Sequence, residues 1–372
     1  MNRFPITQAQ NRCWTLLTRS HKAGRLGSAY LVSGAEGHGH WPMALAISAL
    51  RNCEKILSGG AENPCGECRA CRLISSANFE GLSVIAPVKT HKNLGEAVEL
   101  TAEFIEARRK EPFQLLDTSS PATIPIDMAR ELKRSLSQRA GPGIHRVAVI
   151  YRIDRMRQDG TDSLLKLIEE PPSDTTIVLT TVNLEQVSAT IQSRCRNLVL
   201  EPLPEEFVVD YLVSNQNLST ERAKLLTRIS DRDLGRAIAL SGGDDDGGSD
   251  RAVGLLLFKS LFVDSSPSMI GHLTELFADA DRGQAEELVR LWGTLVRDCS
   301  AFASTGKDDD LINIDFAPDL KRLSQYFADP EVAAIMSSHL KNTLADFRVN
   351  VHIHPSLAAL ALRLRSALPT QA

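Results

Sequence analysis

The sequence predicts an α/β module built on a parallel sheet, followed by a run of helices. Three observations carry this. Five short apolar or β-branched runs alternate with helical patterns between Leu26 and Leu200. A glycine-spaced loop, Gly34–Trp41, joins the first such run to a strong helical pattern. Beyond Pro204 the apolar residues recur only at helical spacing.

Taken in order, residues 7–20 read as a helix and Leu26–Ser33 as the first buried strand. Pro42–Leu57 is helical and leads into a cysteine-rich insert. Gly81–Ala86 is the second strand, closed by Pro87. Residues 88–122 form a polar insertion of unassigned fold, with a helical piece at about Gly95–Arg109. A helix starts at Ile126, and Arg146–Tyr151 is the third strand, set off by Gly141-Pro142-Gly143. Thr161–Glu170 is a short amphipathic helix stopped by Pro171-Pro172. Thr176–Thr181 is the fourth strand, Leu184–Gln192 a helix, and Asn197–Leu200 the fifth strand. Three short helical patterns fill 204–241, and Gly242–Asp250 reads as a flexible acidic linker. The expected division is an α/β domain at 1–202 with an insert at 53–71, a three-helix domain at 203–243, and a helical domain at 251–372.

At 372 residues the chain is long enough for two or three domains. Its 43% hydrophobic and 24% charged residues are those of an ordinary globular protein. No apolar run nears the ~20 residues of a membrane span. The first residues lack the apolar core of a signal peptide, so a cytoplasmic location is expected. A net charge of −4 argues against a general nucleic-acid coat, though not against a local contact.

A phosphate-binding loop reads G-x-x-x-x-G-K-[ST] between strand and helix. Gly34 and Gly39 fit the outer glycines, with Gly37 between them, but His40 fills the lysine slot and Trp41 the hydroxyl slot. Histidine is shorter than lysine and mostly neutral at pH 7. Indole is a donor only and ligates no Mg²⁺. Pro42 removes an amide from the first helical turn, where anions are held. The stretch reads as a nucleotide loop that kept its shape and lost its chemistry; a plain glycine-rich turn is the alternative.

Of seven cysteines, four lie between positions 53 and 71. Cys65, Cys68 and Cys71 form C-x2-C-x2-C, with Cys53 twelve positions upstream. Four thiolates close a tetrahedral Zn²⁺ site with no open position, which makes it structural. A redox pair or an iron–sulfur set is the alternative. Cys13, Cys195 and Cys299 read as buried apolar residues. His352 and His354 alternate on a short extended stretch and read as surface or core.

Three blocks then match a known pattern: Asp154-Arg155-Met156, Ser163–Pro172 with its Leu-Leu-Lys-x-x-Glu-Glu-Pro-Pro core, and Thr190–Cys195 ending in Ser-Arg-Cys. Together they resemble the AAA+ subunits of the bacterial clamp loader. The resemblance is close over 1–202, extends over the helices to 242, and is weak beyond. It implies a AAA+ module, a three-helix lid and a helical collar domain. It implies partners too: the gamma/tau and delta subunits, with the sliding clamp and primer-template DNA inside the complex, and no membrane. An active member ends its third strand in an Asp-Glu pair; here Tyr151 and Arg152 stand there. Asp154 is read as the cap of the following helix.

The same resemblance places Arg194 at a subunit edge as an arginine finger toward ATP on a neighbouring subunit, with Ser193 and Cys195 as packing and turn residues beside it. A surface arginine in a salt bridge is the alternative. Arg236 is read as a structural helix residue, and Thr180 or Thr181 stands at the family's polar sensor position. The expected function is a non-hydrolysing clamp-loader subunit, structural zinc its cofactor, that performs no catalysis alone. Two alternatives stay open: an active AAA+ ATPase of the gamma/tau type with an atypical loop, and a zinc-stabilised binding or redox module unrelated to replication.

Overall fold

The structure, a computed structural model, describes residues 3–116, 122–138, 141–241, 248–276, 281–347 and 352–368. Helices Ile6–Ala9 (α1) and Asn11–Lys22 (α2) precede Ala29–Ser33 (β1), a strand buried at every residue. His40–Asn52 (α3) and Glu54–Leu57 (α4) follow, then Arg69–Ser75 (α5) and Leu82–Ile85 (β2). The polar insertion carries Leu94–Lys110 (α6). Val88 and Thr123 exchange backbone hydrogen bonds of 3.0 and 3.1 Å, which closes the insertion at its neck. Next come Ile126–Ser137 (α7), Arg146–Ile150 (β3), Gln158–Glu169 (α8), Thr175–Thr181 (β4), Ala189–Gln192 (α9) and Arg196–Val199 (β5).

The five strands form one parallel sheet in the order β2-β3-β4-β1-β5. Parallel neighbours need helical crossovers, so both faces are covered and the strands read as apolar runs. Every residue of β4 is buried, threonines included. This is the α/β arrangement expected, with the glycine loop running from β1 into α3.

Beyond the sheet the described residues are helical: Glu205–Gln216 (α10), Thr220–Ile229 (α11), Leu234–Ser241 (α12), Gly248–Val263 (α13), Ser266–Leu276 (α14), Arg282–Thr305 (α15), Ala317–Leu323 (α16), Pro330–Asp346 (α17) and Ile353–Ser366 (α18). The chain divides into two compact units. One holds the sheet with Asp231–Ala239, the other Val213–Ser230 and the chain from Leu240. In the second, α15 is the central helix, its Trp292 fully buried and donating through Nε1 to Gly254 O at 3.0 Å. Among the described residues no helix is long and apolar enough to cross a membrane.

Some local expectations change. Most of the acidic linker, 242–247, lies outside the described residues, while 248–250 open α13. His352 and His354 are not on an extended stretch; they cap and open α18. The single helix expected at Leu184–Gln192 splits into a 3-10 turn and α9, because Asn183 and Ser188 each accept an N–H from the residues after them.

In the second unit, fully buried Asp298 accepts the backbone N–H groups of Ile312 and Asn313 at 2.9 and 2.8 Å and the Asn313 side-chain amide at 2.8 Å. It ties the loop after α15 to that helix. Asp298→Ala strands those donors and lowers unfolding free energy by about 3–5 kcal/mol, measured by urea titration of the chain; an unchanged midpoint contradicts this role.

Candidate functional site: the loop after the first strand

In a parallel sheet all strands end on one side, so the segments that follow them share one rim. Ser33 lies beside Thr181 of β4 and Val199 of β5, and Ile150 beside Leu179. The loop from Gly34, the Tyr151-Arg152 pair and the Thr180-Thr181 pair therefore meet. Gly39 has φ 99°, the left-handed region that favours glycine, and a Cβ there would also overlap Ile6.

A closed ion cluster holds this rim together. Glu36, in the middle of the loop, is its hub. Its Oε2 accepts from Arg152 at 2.8 Å; its Oε1 accepts from the Leu116 backbone N–H at 2.7 Å, the Tyr151 hydroxyl at 3.3 Å and Arg108 at 3.5 Å. Arg152 also forks onto Asp154 through Nε and Nη2, at 2.8–3.1 Å. Arg108 lies over the rings of Phe104 and Tyr151, 3.9 and 4.7 Å from their centres. Both arginines are buried, at 3% and 5% exposure. Burial would lower the Arg152 pKa, but the Asp154 and Glu36 carboxylates outweigh it and raise it. Burial, and then Glu36, raise the Tyr151 hydroxyl, so it stays protonated and donates.

Asp154 does not cap the following helix. Its carboxylate is taken by Arg152, and α8 starts at Gln158 with Arg157 at the N-cap position and no side-chain cap. Arg152 adopts φ 59°, a strained conformation for a side chain with a Cβ, and its N–H is held by Thr180 Oγ1 at 2.8 Å. Thr181 is equally internal, its hydroxyl donating to Asn183 O at 3.0 Å. Neither threonine hydroxyl is exposed, for both side chains are fully buried.

His40 is enclosed, with Nε2 3.1 Å from Thr181 O and Nδ1 3.3 Å from Glu36 O. Burial lowers its pKa to about 4 and Arg152 adds to this, against the two carbonyls, so the ring is neutral at pH 7. Trp41 is buried and packs edge-on against Phe104 and Tyr151. The Gly37 N–H is taken by the carboxylate of Asp233 at 3.3 Å, in the segment that opens α12. A Cβ on Gly37 would overlap that carboxylate, so only glycine admits it. Asp233 also caps α12 by accepting from Arg236 N at 2.8 Å.

Arg194 lies elsewhere on this unit, in the turn between α9 and β5. Its Nη2 pairs with Glu169 of α8 at 2.6 Å and its Nη1 donates to Thr190 O at 3.0 Å, with the side chain 32% exposed. Ser193 donates to Thr190 O, and burial pushes the Cys195 thiol up to about 12, which leaves it unreactive.

The four cysteines converge. The sulfurs of Cys53, Cys65, Cys68 and Cys71 all lie within 4.8 Å of one another. A Zn–S tetrahedron with bonds of ~2.3 Å has edges of about 3.8 Å, so the donor set fits a metal after small movements. Backbone N–H groups of Cys65, Cys68 and Cys71 point at the sulfurs of Cys53, Cys65 and Cys68, each at 3.4 Å. Burial raises the Cys65 pKa, but the N–H groups of Cys68 and Glu67 outweigh it and bring the thiol down to about 7.

Glu36, Arg108 and Asp233 carry this site and were not singled out in the sequence. The available signal was a charge reversal: an acid in the loop facing a base at the end of the third strand.

Residues 9–204 match a family model described as DNA polymerase III, delta subunit. Among curated proteins the chain is 29% identical over 240 residues to the DNA polymerase III subunit delta' of Bacillus subtilis, covering 64% of this chain and 61% of that protein. It is 27% identical over 229 residues to the Escherichia coli subunit delta', covering 62% and 59%. The chain thus spans about three fifths of the length of these relatives. A solved DNA polymerase III gamma subunit-related protein of Thermotoga maritima aligns over 95% of this chain and 98% of its own at 14% identity, with a TM-score of 0.38.

The buried neutral state of His40 has a pH consequence. A folded pKa near 4, below the ordinary 6.5, means that stability is complete above 6.5 and is lost as pH falls toward 4. His40 alone contributes a loss of about 2 kcal/mol between pH 6.5 and 5. His40→Gln removes that share of the slope in urea titrations at the two pH values; an identical slope in variant and wild type refutes the assignment.

Proposed function

The chain belongs to the DNA polymerase III delta-subunit family, and from that premise we propose that it is a clamp-loader subunit that holds no working triphosphate of its own and lends Arg194 to a neighbour's. The observation that carries the first half is the sign of the charges around the loop. A nucleotide loop brings lysine to the phosphates and carboxylates to the metal at the end of the third strand. Here Glu36 is in the loop and Arg152 at the strand end, and the two neutralise each other. Water polarisation needs a carboxylate where Arg152 is, and His40 is neutral with both nitrogens facing carbonyls.

The second half is supported by the contrasting state of Arg194. It is partly exposed on a turn beside an edge strand, with its Ser-Arg-Cys context intact. A guanidinium offered in trans neutralises charge on a transferred phosphoryl group, an effect of ~10³–10⁵ in rate. In this reading the partners are gamma/tau and delta subunits, the helices beyond Arg251 serve assembly, and the complex places a sliding clamp on primed DNA in the cytoplasm. ATP belongs to the neighbour, and Zn²⁺ on Cys53, Cys65, Cys68 and Cys71 anchors the excursion between α3 and α5.

Arg194→Ala, reconstituted with the other subunits, is expected to assemble normally on gel filtration while single-turnover hydrolysis at the adjoining site falls by roughly 10³-fold. Undiminished turnover sinks the trans role, and tight Mg-ATP binding by the isolated wild-type chain sinks the reading of its own site. For the metal, the purified chain is expected to carry one zinc per copy by elemental analysis. Chelation, or Cys68→Ser, is expected to lower the melting temperature and expose 53–71 to protease; a chain without zinc whose thiols form reversible disulfides overturns this.

A further inference from the structure

Removing one member from the cluster at the rim leaves a definite shape. Without the Glu36 side chain, the Leu116 N–H, the Tyr151 hydroxyl and the guanidiniums of Arg108 and Arg152 would converge on one vacated volume. These donors come from two places distant in sequence, the insertion and the end of β3. Forked guanidiniums with an N–H and an O–H between them are the donor set that binds planar or tetrahedral oxyanions. Both arginines are more than nine-tenths buried, and the Arg108 Nε has no partner. Asp154 offsets one of the two positive charges. The remaining charge therefore requires an anion in that volume.

We propose that this rim is an oxyanion site whose resident ligand is the chain's own Glu36 carboxylate, and that it accepts free inorganic phosphate when that side chain is removed. The tether makes the carboxylate's local concentration far higher than that of any dissolved anion, so the intact chain keeps it filled. The same carboxylate draws the insertion onto the loop through Leu116 and Arg108, which gives the otherwise unassigned 88–116 segment a task. Asp233 on the Gly37 N–H is a second internal carboxylate at the same loop.

This inference deepens the reading of the loop as one that holds no triphosphate, and rests on it. The test is Glu36→Ala in the full chain, melted in inorganic phosphate and in sodium chloride of equal ionic strength. The variant is expected to melt roughly 5–15 °C below wild type in chloride. Phosphate is expected to recover most of that loss saturably, beyond the non-saturating rise it gives wild type, and to lose this excess when Arg152→Ala is added. A variant that melts like wild type, or gains no more from phosphate over chloride than wild type does, overturns the proposal. Should Glu36→Ala not fold in chloride, it is refolded from urea in each salt; recovery of wild-type helical signal in phosphate and not in chloride is then expected, and equal outcomes in the two salts overturn the proposal. Mg-ATP bound to the wild-type chain sinks the reading of the loop, whereas a phosphate-indifferent Glu36 variant sinks only the role given to Glu36.

Discussion

The pairing of Glu36 with Arg152 is the contact on which the rim of the sheet depends. Neither charge survives burial alone, since the cost of an uncompensated ion inside a protein is several kcal/mol. Asp154 supplies Arg152 with one carboxylate, but Arg152 and Arg108 together need a second, and the glycine loop offers it as Glu36. The left-handed turn at Arg152, the Thr180 hydroxyl that holds its N–H, and the second fork onto Asp154 all follow from placing one guanidinium there. Tyr151 completes the arrangement, because a phenol kept protonated by burial can donate to Glu36 where a carboxylate in its place could only repel it.

The insertion between β2 and β3 belongs to the same arrangement. Its ends are joined by the Val88–Thr123 bridge, and its helix α6 presents Phe104 and Arg108 on one face, one turn apart. Those residues cover Trp41 and Tyr151, so the indole in the hydroxyl slot is packed on protein from two sides. Phe113 closes on the loop at Gly39 and stacks near Phe207 and Tyr211 of α10. A segment that looks like polar decoration is thereby part of the core around the loop.

How much of this was legible follows from the range of each signal. The strands were readable because burial on both faces favours β-branched and apolar runs such as Thr176–Thr181, and the loop because glycine spacing is local. The cysteine set was readable too, since the thiols that meet lie within nineteen positions of one another. The ion cluster was not. Arg108 and Arg152 are 72 and 116 positions from their hub, Glu36, and nothing local distinguishes a buried arginine from the solvated one expected by default. Asp154 was misread for a different reason: next to a helix start an aspartate is ordinarily a cap, and here its near neighbour Arg152, two positions away, takes the carboxylate instead.

Two of the module's Arg–Glu pairs make an informative comparison, because they meet at similar distance and their surroundings give them opposite properties. Arg152 and Glu36 meet at 2.8 Å with side chains 6% and 13% exposed; Arg194 and Glu169 meet at 2.6 Å with 32% and 47% exposed. Water screens the second pair, so it is worth about 0–1 kcal/mol and opens readily. The first cannot open without stranding charge in the interior. A guanidinium that must leave its partner for a phosphate has to come from the second kind of pair, and one that must never leave belongs to the first. Burial alone, acting on the same two residue types, thus separates an arginine that can be lent from one that is committed to its own chain.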